Sequence, residues 1–222
     1  MNINGLVLSF GFIGVVVGIG VLMSRSEKIS AEVVRKFIHI AVSNWWFILL
    51  VSFDTLGQAI IGPIFFILAN GAAVFTGLAD VLGEKDLKRN LGLVYFPISL
   101  LILVILAFTN TIPLWASTIG VFVMGYGDGL AALLGSYYGK KKLFGKKSYV
   151  GSIVVFVVTF IVILLASLYF KVGNPLTGTW IIRTLIISIL ATIIELFTPT
   201  GLDNLTLPIG VALISSLLLG PL

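Results

Sequence analysis

The residues best equipped for chemistry are concentrated between Gly125 and Ser152. The chain reads Gly125-Tyr-Gly-Asp-Gly-Leu-Ala-Ala-Leu-Leu-Gly-Ser-Tyr-Tyr-Gly-Lys-Lys-Lys142, then Lys146-Lys147-Ser148-Tyr-Val-Gly151-Ser152. Asp128 stands between Gly127 and Gly129, so another backbone or a ligand can approach the carboxylate closely. A lone carboxylate in such a place suits magnesium, which takes one or two carboxylates and completes its shell with phosphates and water. Asp128 is therefore the candidate metal ligand. Downstream, Lys140, Lys141, Lys142, Lys146 and Lys147, with Gly139, Gly145 and Ser148, offer ammonium groups and backbone N–H donors to a polyphosphate. The same residues also read as a small-residue helix-packing face followed by a loop that sets topology.

Three other stretches carry candidates. In Glu32-Val-Val-Arg-Lys-Phe-Ile-His39, Arg35 and His39 are four apart and share a helix face. Glu32 can pair with Arg35, and the pattern can present Arg35, Lys36 and His39 to a phosphate; plain span-flanking charges are the alternative. Arg89-Asn90 precedes an apolar run, where Asn90 suits a helix N-cap and Arg89 suits a phosphate. Glu195 ends another apolar run, and an unpaired carboxylate there is costly, so it needs Arg35, Lys36 or a metal. Asp203 and Asn204 lie in the polar break Thr198-Pro-Thr-Gly-Leu-Asp-Asn, which also reads as a turn capping the last helix.

These residues need a frame, and composition says what kind. The 222 residues are 59% hydrophobic and 10% charged, against roughly 25% charged in an average soluble chain. The chain belongs in a membrane. A span needs roughly 20 apolar residues, and candidates lie at 3–23, 37–52, 56–79, 91–108, 112–134, 150–170, 179–197 and 207–222. The second and last are short, so the expected fold is an all-α polytopic helical bundle of seven or eight spans, forming one domain over 1–222. The runs lack the alternation of a membrane barrel. The first run has no basic n-region and no small-residue cleavage site, unlike a cleaved signal. Without cysteine, thiol chemistry and disulfides are excluded; with a single histidine, a histidine zinc site is improbable.

The loops set the orientation. Of 14 basic residues, 12 follow the first, third and fifth spans, leaving Lys171 and Arg183 towards the other side. Basic loops face the cytoplasm. The net charge of +5 is thus a topology signal. No basic face with interleaved aromatics points to nucleic acid. Eight of the nine acids, all but Asp54, fall in or beside the same segments, and those within spans mark a functional site by default. The oligomeric state, homo-oligomer included, is left open.

The four stretches, in this order, resemble the CTP-dependent lipid kinases, the family of dolichol kinase, phytol kinase and the CTP-using diacylglycerol kinase. The matching residues are the Arg35-Lys36-x-x-His39 helix, Arg89-Asn90-Leu-Gly92 with Tyr95-Phe96-Pro97, the glycine–aspartate–lysine stretch, and Glu195 with Asp203-Asn204-Leu-Thr-Leu-Pro208. The resemblance implies CTP as phosphoryl donor, magnesium as cofactor and a lipid alcohol such as phytol, geranylgeraniol, a polyprenol or diacylglycerol as acceptor. It implies an enzyme of the cell or inner membrane working at the cytoplasmic surface among membrane lipids. Asp128, Glu195 and His39 are the candidate catalytic groups. Arg35, Lys36, Arg89, Asn90, Gly127, Gly129, Lys140, Lys141, Lys142, Lys147, Ser148, Asp203 and Asn204 are the candidate binding residues. The family is distantly similar to CTP:phosphatidate cytidylyltransferases, and cytidylyl transfer is the main alternative. The cytidylyltransferases' C-terminal Pro-Gly-His-Gly-Gly type sequence is absent here, which favours the kinase. A transporter would spread ionisable groups through both halves, and a scaffold leaves Asp128 and Glu195 unexplained. The Walker loop and protein-kinase motifs are also absent.

Overall fold

The computed structural model describes residues 3–77, 90–199 and 201–220. Its helices are α1 (Ile3–Ser24), α2 (Ala31–Ser43), α3 (Trp45–Ser52), α4 (Leu56–Ala59), α5 (Ile61–Phe75) and α6 (Gly92–Phe108). They continue as α7 (Leu114–Phe122), a π-helical turn at Val123–Asp128, and α8 (Gly129–Tyr138). The last three are α9 (Tyr149–Phe170), α10 (Gly178–Phe197) and α11 (Asp203–Leu219). Among the described residues, six continuous or nearly continuous helices are long and apolar enough to cross a membrane, and α6 and α11 are shorter apolar helices. The chain is an all-α polytopic membrane bundle.

The second span differs from its sequence reading. It begins at Ala31, not Phe37, and runs to Ser52. Ser30 starts it, its hydroxyl accepting from the Val33 N–H. Arg35 and Lys36 are therefore helical residues about one turn inside a span rather than its flank, and His39 lies a further turn in. Asn44 interrupts this helix between α2 and α3. Its amide donates to the Ile40 carbonyl at 2.9 Å, and its Oδ1 accepts from the Tyr126 hydroxyl at 2.7 Å. That bond ties the break to the π-helical turn. Asn90 does not cap α6, whose N-cap is Leu91 without a side-chain hydrogen bond.

Helices α7 and α8 with the π turn form the most enclosed span, packed on α2, α9 and α11. Close approach there depends on small residues. A Cβ at Gly120 would lie 2.3 Å from the Pro208 carbonyl oxygen of α11. Cβ atoms at Gly125 and Gly129 would meet Ser43 and Ile40 of α2 at 2.2 and 2.4 Å. So two of the glycines beside Asp128 admit a neighbouring helix. Helices α1, α2, α5 and α6 make the other side of the bundle.

One element departs from pure helix. Lys142–Phe144 (β1) and Lys147–Ser148 (β2) pair antiparallel, with Lys142 opposite Ser148. Gly145 turns between them at φ +53°, a left-handed conformation that glycine adopts without steric cost. The hairpin folds Lys146 and Lys147 back over the bundle end. There Ser148 caps α9, its hydroxyl accepting from the Gly151 N–H at 3.1 Å.

Candidate functional site

The candidate residues converge at one end of the bundle through two ion-pair clusters. In the first, the Lys36 ammonium donates to Asp128 Oδ2 at 2.5 Å, joining α2 to the end of the π turn. Both side chains are under a tenth exposed. His39, one turn along α2, places Nε2 3.8 Å from the same oxygen. Arg35 pairs with Glu32 at 2.8 Å, the pairing expected from their spacing.

In the second cluster Lys147 reaches from the hairpin to two carboxylates. It hydrogen-bonds Glu195 at the end of α10 and Asp203 Oδ2, 3.0 Å away, at the start of α11. Sequence reasoning named Arg35, Lys36 or a metal as the Glu195 partner; the observed partner is Lys147, which the loop length alone could not bring there. Asp203 Oδ1 accepts from the backbone of Gly201 and Asn204 at 3.0 and 3.1 Å, so the polar break is folded around this carboxylate. Burial alone would lower the Lys147 pKa, but the nearby carboxylates of Asp203, Asp128 and Glu195 outweigh it and hold it above the ordinary lysine value.

The clusters enclose a polar cavity of about 430 Å³. Its charged lining is Glu32, Arg35, Lys36, Asp128, Lys142, Lys146, Lys147, Glu195 and Asp203, with Ser136, Ser148 and Ser152 beside them. Lys142 and Lys146 are exposed and carry no ion pair among the described residues, so their ammonium groups are available to an anion. A second cavity of about 280 Å³ lies on the α1, α2, α5 and α6 side. It is lined mostly by apolar residues, including Ile13, Val17, Phe66, Phe96 and Leu100, and its polar lining is Arg35, Lys36, His39, Asn70, Asn90 and Asn204. Arg35 and Lys36 line both cavities.

The structure therefore brings together Arg35, Lys36, His39, Asn90, Asp128, Lys142, Lys147, Ser148, Glu195, Asp203 and Asn204. Lys140 and Lys141 are exposed outside both linings, and Gly127 and Gly129 line neither. Arg89 lies outside the described residues, as do Asp80, Glu84 and Asp86. Lys146 and Glu32 join the polar lining without having been singled out as binding residues, though the lysine run already contained the first. Asn70 and Phe66 of α5 gave no sequence signal as cavity residues, because nothing local separates a cavity-lining apolar face from a lipid-facing one.

Among the described residues, no three histidine, aspartate or glutamate side chains converge as a closed metal site. The donors instead suit an ion that brings most of its ligands along. Glu195 Oε2 is buried without a hydrogen-bond partner, and Asp128 and Asp203 share its cavity. Magnesium carried on a polyphosphate asks for only one or two such carboxylates, so the residues fit it.

Neither a family model nor a solved structure matches the chain. Curated relatives do. The chain is 30% identical over 218 residues to a protein named phytol kinase from Synechocystis sp., covering 94% of this chain and 88% of that protein. It is 32% identical over 144 residues to a protein named probable phytol kinase, chloroplastic, from Triticum aestivum, covering 62% of this chain and 46% of the wheat protein. A protein named probable phytol kinase 1, chloroplastic, from Oryza sativa subsp. japonica is 31% identical over 136 residues, which is 58% of this chain and 42% of the rice protein. Similarity at 30% identity over nearly the full length of both proteins places the chain in the phytol kinase family.

Proposed function

We propose that the protein phosphorylates a membrane lipid alcohol with a slender apolar tail, of which phytol is the leading case, using CTP as donor. One observation carries this reading: an apolar cavity and a polar, lysine-lined cavity meet at Arg35 and Lys36. A lipid alcohol and a nucleoside triphosphate need such a pair of compartments, because one substrate is apolar except at its hydroxyl and the other is highly charged. Phosphoryl transfer asks the protein mainly for positioning and for neutralising charge on the transferred group. Lys142, Lys146 and Lys147 would hold the phosphates, while Arg35 and Lys36 face the junction where the γ-phosphoryl meets the acceptor. Glu195, Asp203 and Asp128 would hold magnesium arriving with the nucleotide; when bound, it neutralises phosphate charge. The lipid tail would lie between α1, α2, α5 and α6.

CTP over ATP follows from the family resemblance, since no single residue of the polar cavity reads a base. The test is turnover of purified protein in detergent against phytol, geranylgeraniol, a long polyprenol and diacylglycerol, with CTP and ATP in parallel. Phosphorylated phytol with release of CDP is the expected result, at a rate with CTP well above that with ATP. Release of pyrophosphate would identify cytidylyl transfer instead, and equal rates with ATP would remove the CTP assignment.

The cavity mouth is proposed to face the cytoplasm, on the strength of the basic residues around it. Single cysteines are introduced readily because the chain has none. In intact cells, Lys171→Cys is expected to react with a membrane-impermeant maleimide, and Lys28→Cys and Lys142→Cys only after permeabilisation. Labelling of Lys28→Cys and Lys142→Cys from opposite sides would break the single-site arrangement.

A further inference from the structure

The apolar cavity has a bottom, and one side chain makes it. Followed away from Arg35 and the polar compartment, the lining passes along α2 and ends among Ile13 of α1, Trp45 of α3, Gly62 of α5 and Leu100 of α6. Trp45 opens α3 directly after the Asn44 break and is buried. Its indole N–H donates to Ser9 Oγ at 2.9 Å, and the Ser9 hydroxyl donates in turn to the Gly5 carbonyl at 2.8 Å. The other edge of the ring lies over Gly62, where a Cβ would stand 3.3 Å from Cζ2. The indole is therefore pinned to α1 and laid across to α5.

Beyond the ring the helices close. A Cβ at Gly5 would lie 2.9 Å from Ser52 Cβ and 3.0 Å from Phe53 Cε1, so α1 and the end of α3 touch there. The seam between α1 and α5 is filled at the same level. Phe10 packs edge-on against Phe65, centroids 5.1 Å apart, and lies 6.3 Å from Phe66. An apolar tail that reaches the floor meets packed side chains ahead of it and beside it.

Depth can be set against chain length. Arg35 and Trp45 are ten residues apart, about 15 Å at the helical rise. A hydrocarbon zigzag with bonds of about 1.5 Å advances roughly 1.25 Å per carbon. Three isoprenoid units then extend about 15 Å and four about 20 Å. Three units fit extended, four fit with a bend, and a fifth has no space.

We infer that Trp45 is a specificity-determining residue that limits the acceptor to a tail of about four isoprenoid units, an assignment that rests on the lipid-kinase reading. The limit is steric. An alcohol with a longer tail strikes the indole before its hydroxyl reaches Arg35 and Lys36. Displacement of the hydroxyl by even an ångström or so is costly for transfer, so an overlong alcohol loses rate as well as binding.

The test uses the full chain in detergent with CTP and alcohols of increasing length: farnesol, geranylgeraniol, geranylfarnesol and a ten-unit polyprenol. For the unaltered protein, kcat/KM with geranylgeraniol is expected to exceed that with geranylfarnesol by at least about tenfold, the scale on which an apolar pocket discriminates by size. Trp45→Ala removes the floor and should bring the two within about twofold. Trp45→Phe keeps a ring in the core and should shift the ratio the same way by less, which covers an alanine variant that does not fold. Ile13→Phe fills the lower cavity and should move the optimum to farnesol. A purely structural defect would lower all alcohols together, so the ratio within each variant is the readout. Turnover of the ten-unit polyprenol equal to that of geranylgeraniol by the unaltered protein would overturn the limit, because the tail would then be leaving sideways. So would an unchanged ratio in every folded Trp45 variant. The same alcohols are also compared without CTP, by the rise each gives in the thermal midpoint. If no alcohol is phosphorylated, the kinase reading fails by itself. A midpoint rise that still breaks off beyond four units, and extends further in the Trp45 variants, would uphold the floor; a rise indifferent to length would overturn it.

Discussion

Asp128→Asn is expected to lower turnover by about 10²–10³-fold, the usual loss when one preorganised electrostatic contact is removed, with the protein still inserted and monodisperse. Asparagine preserves the shape and one acceptor oxygen, so the close approach of α2 at Gly125 and Gly129 is unaffected. What it loses is the charge that holds the Lys36 ammonium at the junction of the two cavities. A buried lysine facing a neutral amide is poorly compensated. Lys36 would then turn towards water, and the proposed phosphoryl site would lose a fixed cation. Turnover normalised to monodisperse protein separates this from simple unfolding. A magnesium titration separates two further roles: recovery at high magnesium assigns Asp128 to the metal, and no recovery assigns it to Lys36. Near-normal normalised turnover would reduce the pair to helix packing.

How much of this was legible beforehand depends on the range of the interaction. The i,i+3 pairing of Glu32 with Arg35 follows from helix geometry alone, and it is present. Asp128 had to have a positive neighbour because an isolated charge in a span is too costly, and the sequence offered a lysine, Arg35 or a bound cation. Which one it is depends on the crossing of α2 over the π turn, set by where Ser43 and Ile40 meet Gly125 and Gly129. That is a packing outcome across about 90 residues, and no local pattern encodes it.

The eight apolar stretches were readable because span length is a physical requirement of the bilayer. The start of the second span was not, because hydropathy discounts Arg35 and Lys36, charged residues of the kind that a buried site needs. A polar residue satisfied by tertiary partners looks like a boundary when only its type is known. The hairpin was hidden for a similar reason. Two short strands amid five lysines have no periodicity to detect, and Gly145 alone marked the turn.

Lys147→Met is the substitution expected to damage both stability and chemistry. It leaves Glu195 and Asp203, each under a tenth exposed, without their shared cation. Removing one partner from a buried ion-pair cluster costs about 3–5 kcal/mol, so the thermal midpoint in detergent should fall clearly. The pH dependence has a definite sign. Neighbouring carboxylates overcome the effect of burial and raise the Lys147 pKa above its ordinary 10.5. The folded chain thus binds that proton more tightly than the unfolded one, so the contribution is full below the ordinary value and fades as pH rises through the folded one. The stability gap between the two proteins should therefore stay level across about pH 7–9 and narrow only in stronger alkali. Adding Glu195→Gln to Lys147→Met removes one of the stranded charges and should recover part of the midpoint. Turnover should not return with it, because the ammonium proposed to hold the phosphates is still missing. If turnover does recover in step with stability, Lys147 serves only to hold α10 and α11 together, and phosphate binding passes to Lys142 and Lys146 at the cavity mouth.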